Sequence, residues 1–357
     1  MNSFKKLGIA GAALALSIGY AAAAGKVKVG FVYVGPIGDH GWSYQHHQGL
    51  LAVKKAFGDK VSTTYVEKVS EGPDAERVIR QLAQQGHNII FTTSFGFMNP
   101  TIKVAKRFPN VKFEHATGFK RAKNVATYNG RFYEGRYIAG MIAGKMTKTN
   151  TLGYIASFPI PEVIMGINAT YLGAKSVNPN IKLKIIWVST WFDPGKEADA
   201  AKALTDQGAD VLFQHTDSPA PMKHAEQKGI WAVGQASDMK TFGPNVQLTS
   251  LVDNWAPYYV RRVKAVMDGT WKSVDVWEGL KTGMLQLSAW NKKIPADVVK
   301  AAEKLRDDIA SGKFHPFTGP LKKQDGTLFL KPGERISDKA LSSMNFYVQG
   351  VVGKLPK

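Results

Sequence analysis

The sequence predicts an α/β fold built from two doubly wound lobes that several chain crossings join. The first observation is a repeat, since two parts of the chain contain apolar segments in the same order. A helical segment ends at Gln85-Gly86 in the first part and at Gln207-Gly208, 122 positions later, in the second. The second is that these apolar segments are short, rich in β-branched residues and bounded by turns, as in parallel strands buried on both faces. The third is size, since 357 residues with 44% hydrophobic content are enough for two packed domains.

The first repeat has the order strand, strand, helix, strand, strand. Residues 27–34 form an apolar run that ends in a Gly/Pro loop, and residues 63–69 form the next run. Apolar residues at i, i+3, i+4, i+7 and i+8 over 75–83 predict a helix with one buried face. Gly86 stops this helix, and strands are expected directly after it and at 112–115.

The second repeat follows the same plan. Strands are expected at 151–156, 184–189 and 231–234, and a weaker apolar face over 198–204 predicts the helix that Gly208 ends. Strands alternating with helices, in the same order twice, favour two parallel sheets with right-handed crossovers. A single large α/β domain with a repetitive pattern is the alternative.

The remaining segments are expected to connect the lobes. Residues 132–146 and 258–268 have helical patterns, 246–252 has a strand pattern, and 277–287 is expected to return to the second lobe. Several thin crossings form a hinge, so the cleft between the lobes should open and close. The expected bounds are 1–24 for a signal peptide, 25–130 with about 254–280 for lobe 1, 131–253 with about 281–325 for lobe 2, and 326–357 for a C-terminal extension.

The N-terminus has the composition of a cleavable secretory signal. Lys5 and Lys6 precede a fourteen-residue apolar stretch, and small residues lead to a cleavage site after Ala24. That stretch is too short for a permanent membrane span. Because the chain has no cysteine, a lipoprotein anchor is not expected. The sequence therefore predicts a soluble protein exported to a periplasm.

The positive charge of the chain does not indicate a nucleic-acid partner. The formal net charge is +19, and it falls to +17 when Lys5 and Lys6 leave with the signal, which contains no acidic residue. The remaining basic residues are dispersed in pairs such as Lys54-Lys55, and no run of five occurs. We therefore expect a solvated basic surface.

Loops after the predicted strands supply the candidate binding residues, since ligands of open α/β sheets bind beyond the carboxyl ends of the strands. These loops contribute Asp39, Trp42, Phe95, Trp191, Phe192, Asp217 and Asp238. Aromatic rings from both lobes could stack on the two faces of a small flat ligand, at about 1–3 kcal/mol per stack. Aspartates would accept hydrogen bonds from its N–H groups. For any one of the aromatic residues, ordinary core packing is the alternative.

Signatures of nucleotide, metal and catalytic sites are weak. Residues 35–41 have GxxGxxG spacing where a dinucleotide fingerprint needs GxGxxG. His46 and His47 could be metal ligands, but neighbouring residues on a helix point about 100° apart. Asp217 and Asp238 could serve acid–base chemistry, yet the chain contains no GxSxG or HExxH motif. We expect no cofactor, no metal and no enzymatic activity.

Short motifs in a fixed order resemble a known family. They occupy 38–39, 41–42, 134–140, 192–194, 207–211, 234–238, 248–250 and 279–283. From about residue 26 to 287 the chain resembles the basic membrane protein (BMP, or Med/PnrA-like) family of substrate-binding proteins for ABC transporters. The resemblance implies a type I periplasmic-binding-protein fold with Rossmann-like lobes, a permease partner in the inner membrane, and purine nucleosides as the usual ligands.

The resemblance also implies roles for single residues. It makes Trp42, and either Trp191 or Phe192, base-stacking residues. It makes candidate polar contacts of Asp39, Asp217, Asp238 and Lys281.

The chain departs from the family pattern at two places. Phe132 stands where nucleoside-binding members have an acid that would hold ribose, and residues 215–219 replace a glycine-rich turn. The resemblance and these departures together predict a monomeric periplasmic protein that captures a free purine base, such as adenine or hypoxanthine. A purine nucleoside, an amide or a sugar in the same cleft is the alternative.

Overall fold

The computed structural model describes residues 25–356, which form strands and helices in alternation. The predicted signal peptide lies outside the described residues. The strands are β1 Val27–Val32, β2 Val61–Val66, β3 Ile89–Thr92, β4 Lys112–Ala116, β5 Val125–Gly130, β6 Thr151–Ala156, β7 Lys182–Trp187, β8 Val211–Gln214, β9 Trp231–Gly234, β10 Gln247–Asp253, β11 Asp275–Glu278, β12 Leu285–Leu287, β13 Leu321–Lys322 and β14 Leu328–Leu330. The helices are α1 Trp42–Phe57, α2 Pro73–Gln84, α3 Met98–Ala105, α4 Phe132–Met146, α5 Pro161–Lys175, α6 Pro194–Asp206, α7 Ala220–Lys228, α8 Ala256–Met267, α9 Ala296–Ala310 and α10 Asp338–Ser342.

Lobe 1 is built on a six-stranded sheet with the order β11-β5-β4-β3-β1-β2, and all its pairings are parallel. Lobe 2 has the matching order β12-β10-β9-β8-β6-β7, in which only the β10–β12 pair is antiparallel. In each sheet the strand order reverses beside the first strand of the repeat. That reversal creates a crevice at the carboxyl ends of the strands, where doubly wound proteins bind ligands.

The α/β class with two doubly wound sheets is confirmed. The first strand ends at Val32, and the second spans Val61–Val66, about two residues earlier than the pattern indicated. The helix at Phe132–Met146 begins and ends where the pattern placed it. The sequence analysis missed strand Val125–Gly130, which is nearly all buried between β4 and β11.

The chain passes between the two sheets three times, after β5, after β10 and after β11. Helix α4 follows the first crossing and packs closely on α5. The two helices are so close that a side chain at Gly173 would collide with the backbone of Tyr137. Helix α8 follows the second crossing and packs on α1 of lobe 1. The crossings lie side by side, an arrangement suited to hinge motion.

The C-terminal segment packs on lobe 2. The Asn168 side chain on α5 donates to the carbonyl of Phe346 at 2.9 Å and accepts from the amide of Val348 at 3.0 Å. The segment also reaches the first crossing, where Asp338 forms a two-pronged pair with Arg131 at 2.6 and 2.8 Å. The C-terminal segment, residues 313–356, therefore forms hydrogen bonds both with lobe 2 and with the hinge.

Candidate functional site

A cavity lies between the lobes, where the strand-end loops of both sheets face each other. The lining residues come from the segments after β1, β3 and β4 of lobe 1 and after β6, β7, β8 and β9 of lobe 2. They are Val34, Trp42, Ser94, Phe95, Thr117, Glu162, Trp191, His215, Asp217 and Gln235.

Trp42, the first residue of α1, forms one wall of the cavity. Its indole N–H donates to the carbonyl of Thr93 at 2.6 Å, so the ring orientation is fixed. The edges of Trp255 and Phe132 meet it at centroid distances of 5.5 and 6.1 Å. The ring is thus held in place before any ligand arrives.

Trp191 contributes an indole from lobe 2. Its ring packs against Phe158 at a centroid distance of 5.0 Å, and its N–H donates across the cleft to Glu71 of lobe 1 at 3.3 Å. The Glu71 carboxylate also accepts from the hydroxyl of Ser94 at 2.5 Å. These bonds connect the aromatic residue of one lobe to the loop of the other.

Asp39 is buried, and both oxygens of its carboxylate accept hydrogen bonds from backbone amides of the protein. Oδ1 accepts from the amides of Gly41 and Tyr44 at 2.8 and 2.9 Å, and Oδ2 accepts from the amide of Ser43 at 3.0 Å. Burial raises the pKa of Asp39 to about 6, although these hydrogen bonds act in the opposite direction. Asp39 therefore orients the start of α1, and with it Trp42, and does not line the cavity.

Asp217 lines the cavity from lobe 2 and is buried. Its backbone lies directly against Gly41 of the other lobe, next to Trp42 at the start of α1. Burial raises the pKa of Asp217 well above its ordinary value, and the charges of Asp39 and Glu197 raise it further. Asp217 is thus a contact between the lobes as well as a part of the cavity wall.

Three polar residues of lobe 2 that the sequence analysis missed also line the cavity: Glu162, His215 and Gln235. Glu162 Oε1 lies 3.4 Å from His215 Nε2, and burial lowers the pKa of His215. The oxygen of Gln235 accepts from the buried guanidinium of Arg136, so its NH₂ is the group left to face the cavity.

The strand-end rule could have found all three residues. His215 and Gln235 directly follow β8 and β9, and Glu162 follows the loop after β6.

Several sequence-predicted residues lie outside this cavity. Asp238 is exposed and accepts from the amide of Lys240 and the side chain of Gln247, because the loop after β9 turns outward beyond Gln235. Lys281 is exposed on a turn beside α9 and lines a separate surface pocket near the hinge. For both residues, the assignment as polar contacts in the cleft is not supported by their position.

Phe192 and Phe132 flank the site without lining the cavity. Phe192 faces a wider opening at the mouth of the cleft, together with Gly35 and Glu71. Phe132 is 5% exposed and lies behind Trp42, edge-on to that ring. Of the alternative pair Trp191 and Phe192, the structure brings Trp191 to the cavity.

A second space, the outer chamber, adjoins this inner cavity toward the hinge. Phe95, Thr117 and Glu162 line both spaces. The outer chamber adds polar groups from lobe 1 and from the C-terminal segment, namely Asn129, Asp275 and Ser342. A substituent on a ligand in the inner cavity has room to extend in this direction.

The lobes are closed upon each other in this structure. A Cβ atom at Gly41 of lobe 1 would come within 2.8 Å of the Cα of Asp217 in lobe 2, and closer still to its carbonyl oxygen. The hydroxyl of Ser237 donates to the carbonyl of His40, whose ring meets Phe242 at 4.8 Å. Only closed lobes permit these contacts.

Residues 25–356 contain neither a cluster typical of a metal site nor a helix typical of a membrane span. That part of the chain brings together no group of acidic and histidine side chains suited to a metal ion. His46 is buried, with Nδ1 2.5 Å from the hydroxyl of Tyr259. None of the helices between residues 25 and 356 has both the length and the apolar character of a membrane span.

Comparison with known proteins assigns the chain to a family. The profile of a family described as "ABC transporter substrate-binding protein PnrA-like" matches residues 26–315. A purine-binding protein of Brucella abortus (strain 2308) is 58% identical over 339 residues, covering 95% of this chain and 97% of that protein. A Haloferax volcanii protein, provisionally named an ABC transporter glucose-binding protein, is 39% identical, covering 92% of this chain and 81% of its own.

Solved structures agree on the fold. An ABC transporter solute-binding protein from Aeropyrum pernix K1 superposes with a TM-score of 0.71 at 20% identity, covering 83% of this chain and 93% of that one. Proteins of this kind capture a small molecule for a membrane permease and are not classed as enzymes. The chain belongs to the PnrA-like (Bmp) family of ABC transporter substrate-binding proteins.

Proposed function

We propose that the protein captures a purine for an ABC importer, and that the ligand is a free base such as adenine or hypoxanthine. The base lies in the inner cavity with Trp42 of lobe 1 on one side and Trp191 of lobe 2 on the other. Binding occurs by closure of the lobes, and no chemical step follows. The ligand is released to the permease when the lobes reopen.

The observation that carries this proposal is the composition of the cavity. Indole rings of both lobes, Trp42 and Trp191, border a space whose remaining wall offers the polar groups of Glu162, His215 and Gln235. Flat heteroaromatic rings gain about 1–3 kcal/mol per stack on such side chains. Their ring nitrogens and exocyclic groups match the donors and acceptors at the edge. The name of the 58% identical Brucella protein, a purine-binding protein, supports the same ligand class.

Two other ligands have specific support. A purine nucleoside could place its sugar in the outer chamber, near Asn129 and Asp275. A sugar is favoured by the name of the 39% identical Haloferax relative. Sugar sites also use aromatic platforms, so the aromatic residues alone do not distinguish these ligands.

The partner and the compartment follow from the family and the N-terminal sequence. We propose that the protein works as a monomer in the periplasm, after removal of residues 1–24, and docks on the permease in its closed form. Size-exclusion chromatography with light scattering, and the N-terminal sequence of the exported protein, test these points.

Calorimetric titration tests the proposed ligand. The protein, stripped of bound ligand by partial unfolding and refolding, is titrated with adenine, hypoxanthine, adenosine, inosine and glucose. We expect a base to bind with a dissociation constant well below about 100 μM, which is a free energy near −5.5 kcal/mol. Tighter binding of nucleosides would contradict the choice of free base. If glucose bound and none of the purines did, the proposal that the ligand is a purine would be contradicted.

A further inference from the structure

Glu162 occupies the passage between the inner cavity and the outer chamber. It lines both spaces, and of the three residues that do so it alone has an ionisable side chain. Its side chain is 10% exposed, and it projects from the first turn of α5. Any ligand that extends from one space into the other must pass this carboxyl group.

His215 holds Glu162 in a defined orientation. Glu162 Oε1 lies 3.4 Å from His215 Nε2, and His215 Nδ1 lies 3.4 Å from the hydroxyl of Tyr154. Because burial lowers the pKa of His215, its imidazole is neutral near pH 7. A neutral ring fits both contacts when Nε2–H donates to Glu162 and Nδ1 accepts from Tyr154.

The second oxygen of Glu162 is available to a ligand. Within residues 25–356, Oε2 is buried and has no hydrogen-bond partner. A buried acceptor without a partner costs free energy, and a donor on the ligand would remove that cost.

We propose that Glu162, oriented by His215, distinguishes a free purine base from its nucleoside by accepting a hydrogen bond from the imidazole N–H of the base. This inference rests on the proposed function. In a free base the imidazole nitrogen carries hydrogen, whereas in a nucleoside the same nitrogen carries ribose. A nucleoside therefore cannot donate to Oε2 from that nitrogen, and its sugar must pass Glu162 to reach the outer chamber.

The test compares Glu162→Gln with wild type, using adenine and 9-methyladenine as probes. In the variant, the amide oxygen takes the hydrogen bond from His215, and the amide NH₂ then faces the N–H of the base. We expect adenine binding to fall by about tenfold or more, as for loss of a hydrogen bond to a charged group. Binding of 9-methyladenine, which lacks that N–H, should change by less than about threefold.

Glu226→Gln is the matched control, since Glu226 lies on α7 of the same lobe and bonds to Asn245 outside the cleft. It should leave both affinities unchanged. Thermal unfolding without ligand should be similar for wild type and both variants, which separates binding from folding.

The outcomes distinguish this inference from the proposed function. If wild type binds no purine, the proposed function fails. If wild type binds adenine, and Glu162→Gln binds adenine equally well or weakens both probes equally, only the role of Glu162 is overturned.

Glu162→Ala provides an independent readout. It removes both the acceptor and the side-chain bulk from the passage to the outer chamber, so the preference for adenine over adenosine should fall by about tenfold. An unchanged preference would overturn the inference even if Glu162→Gln proved unstable.

Discussion

At the residue scale, both tryptophans of the site have indole N–H groups that are already bonded to the protein. The indole N–H of Trp42 is bonded to Thr93 and that of Trp191 to Glu71, so the ring faces are what these residues offer a ligand. A ring held by its own hydrogen bonds loses little further freedom on binding. Stacking, and not hydrogen bonding, is therefore the expected contribution of both tryptophans.

Trp191→Ala and Phe192→Ala form a matched pair. The two residues are neighbours in one loop, but only Trp191 lines the inner cavity. We expect Trp191→Ala to weaken adenine binding by about tenfold or more, since one stack contributes about 1–3 kcal/mol. Phe192→Ala should change it by less than about threefold. Calorimetry measures both, and the reverse order of effects would move the stacking role to Phe192.

The sequence located several residues of the cavity wall, but their position after a strand did not decide which of them face the cavity. Trp42, Phe95, Trp191 and Asp217 were found because they follow strands, and they do lie at the cavity. Asp39 was found by the same rule, but three backbone amides occupy its carboxylate. Whether a carboxyl group faces a ligand or caps a helix depends on the path of the loop, which no residue pattern in this chain reveals.

At the element scale, the loop between β1 and α1 controls closure. Gly41 is packed against the backbone of Asp217, and the carbonyl of His40 accepts from the hydroxyl of Ser237. Since these groups belong to different lobes, they meet only when the cleft is closed. Substitutions here should therefore act on closure more than on the folding of either lobe.

Gly41→Ala should oppose closure, because its Cβ would overlap the backbone of Asp217. Overpacking of this kind typically costs about 1–3 kcal/mol, so adenine should bind roughly 5- to 150-fold more weakly. Gly38→Ala in the same loop is the control, since its Cβ would meet no atom within 4 Å. Affinity is measured by calorimetry and closure by small-angle X-ray scattering. Equal behaviour of the two variants would show that contact at Gly41 does not limit closure.

The elements themselves were largely predictable, for a physical reason. Strands buried on both faces need continuous apolar runs, and 29–34 and 152–156 have them. Strand β5 was missed because Thr127 and Asn129 interrupt its apolar run, although most of the strand is buried. Its place in the sheet is set by pairing with β4 and with β11, which lies some 150 residues further along the chain. Pairing over such a separation leaves no local signal.

At the scale of the whole molecule, closure and ligand binding are one equilibrium. A ligand that contacts both lobes favours the closed state by the difference between its affinities for the two states. The contacts of Trp191 with Glu71 and of Ser237 with His40 already favour closure without ligand. The ligand therefore has to supply only the remainder of the closing free energy.

The C-terminal segment contacts both the outer chamber and the hinge. The family profile ends at residue 315, but the chain continues across lobe 2, places Ser342 at the outer chamber and pairs Asp338 with Arg131 at the first crossing. The sequence analysis identified residues 326–357 as a C-terminal extension but did not predict where this extension packs. Its position depends on contacts with Asn168 and the hinge, which composition does not encode.

The central claim is that a purine base is enclosed between the two lobes. A crystal structure of the protein grown with adenine tests it most directly. The account predicts closed lobes, with the adenine ring between Trp42 and Trp191 and one of its imidazole nitrogens within hydrogen-bond distance of Glu162. Adenine bound elsewhere, or an empty cleft at saturating adenine, would contradict the account.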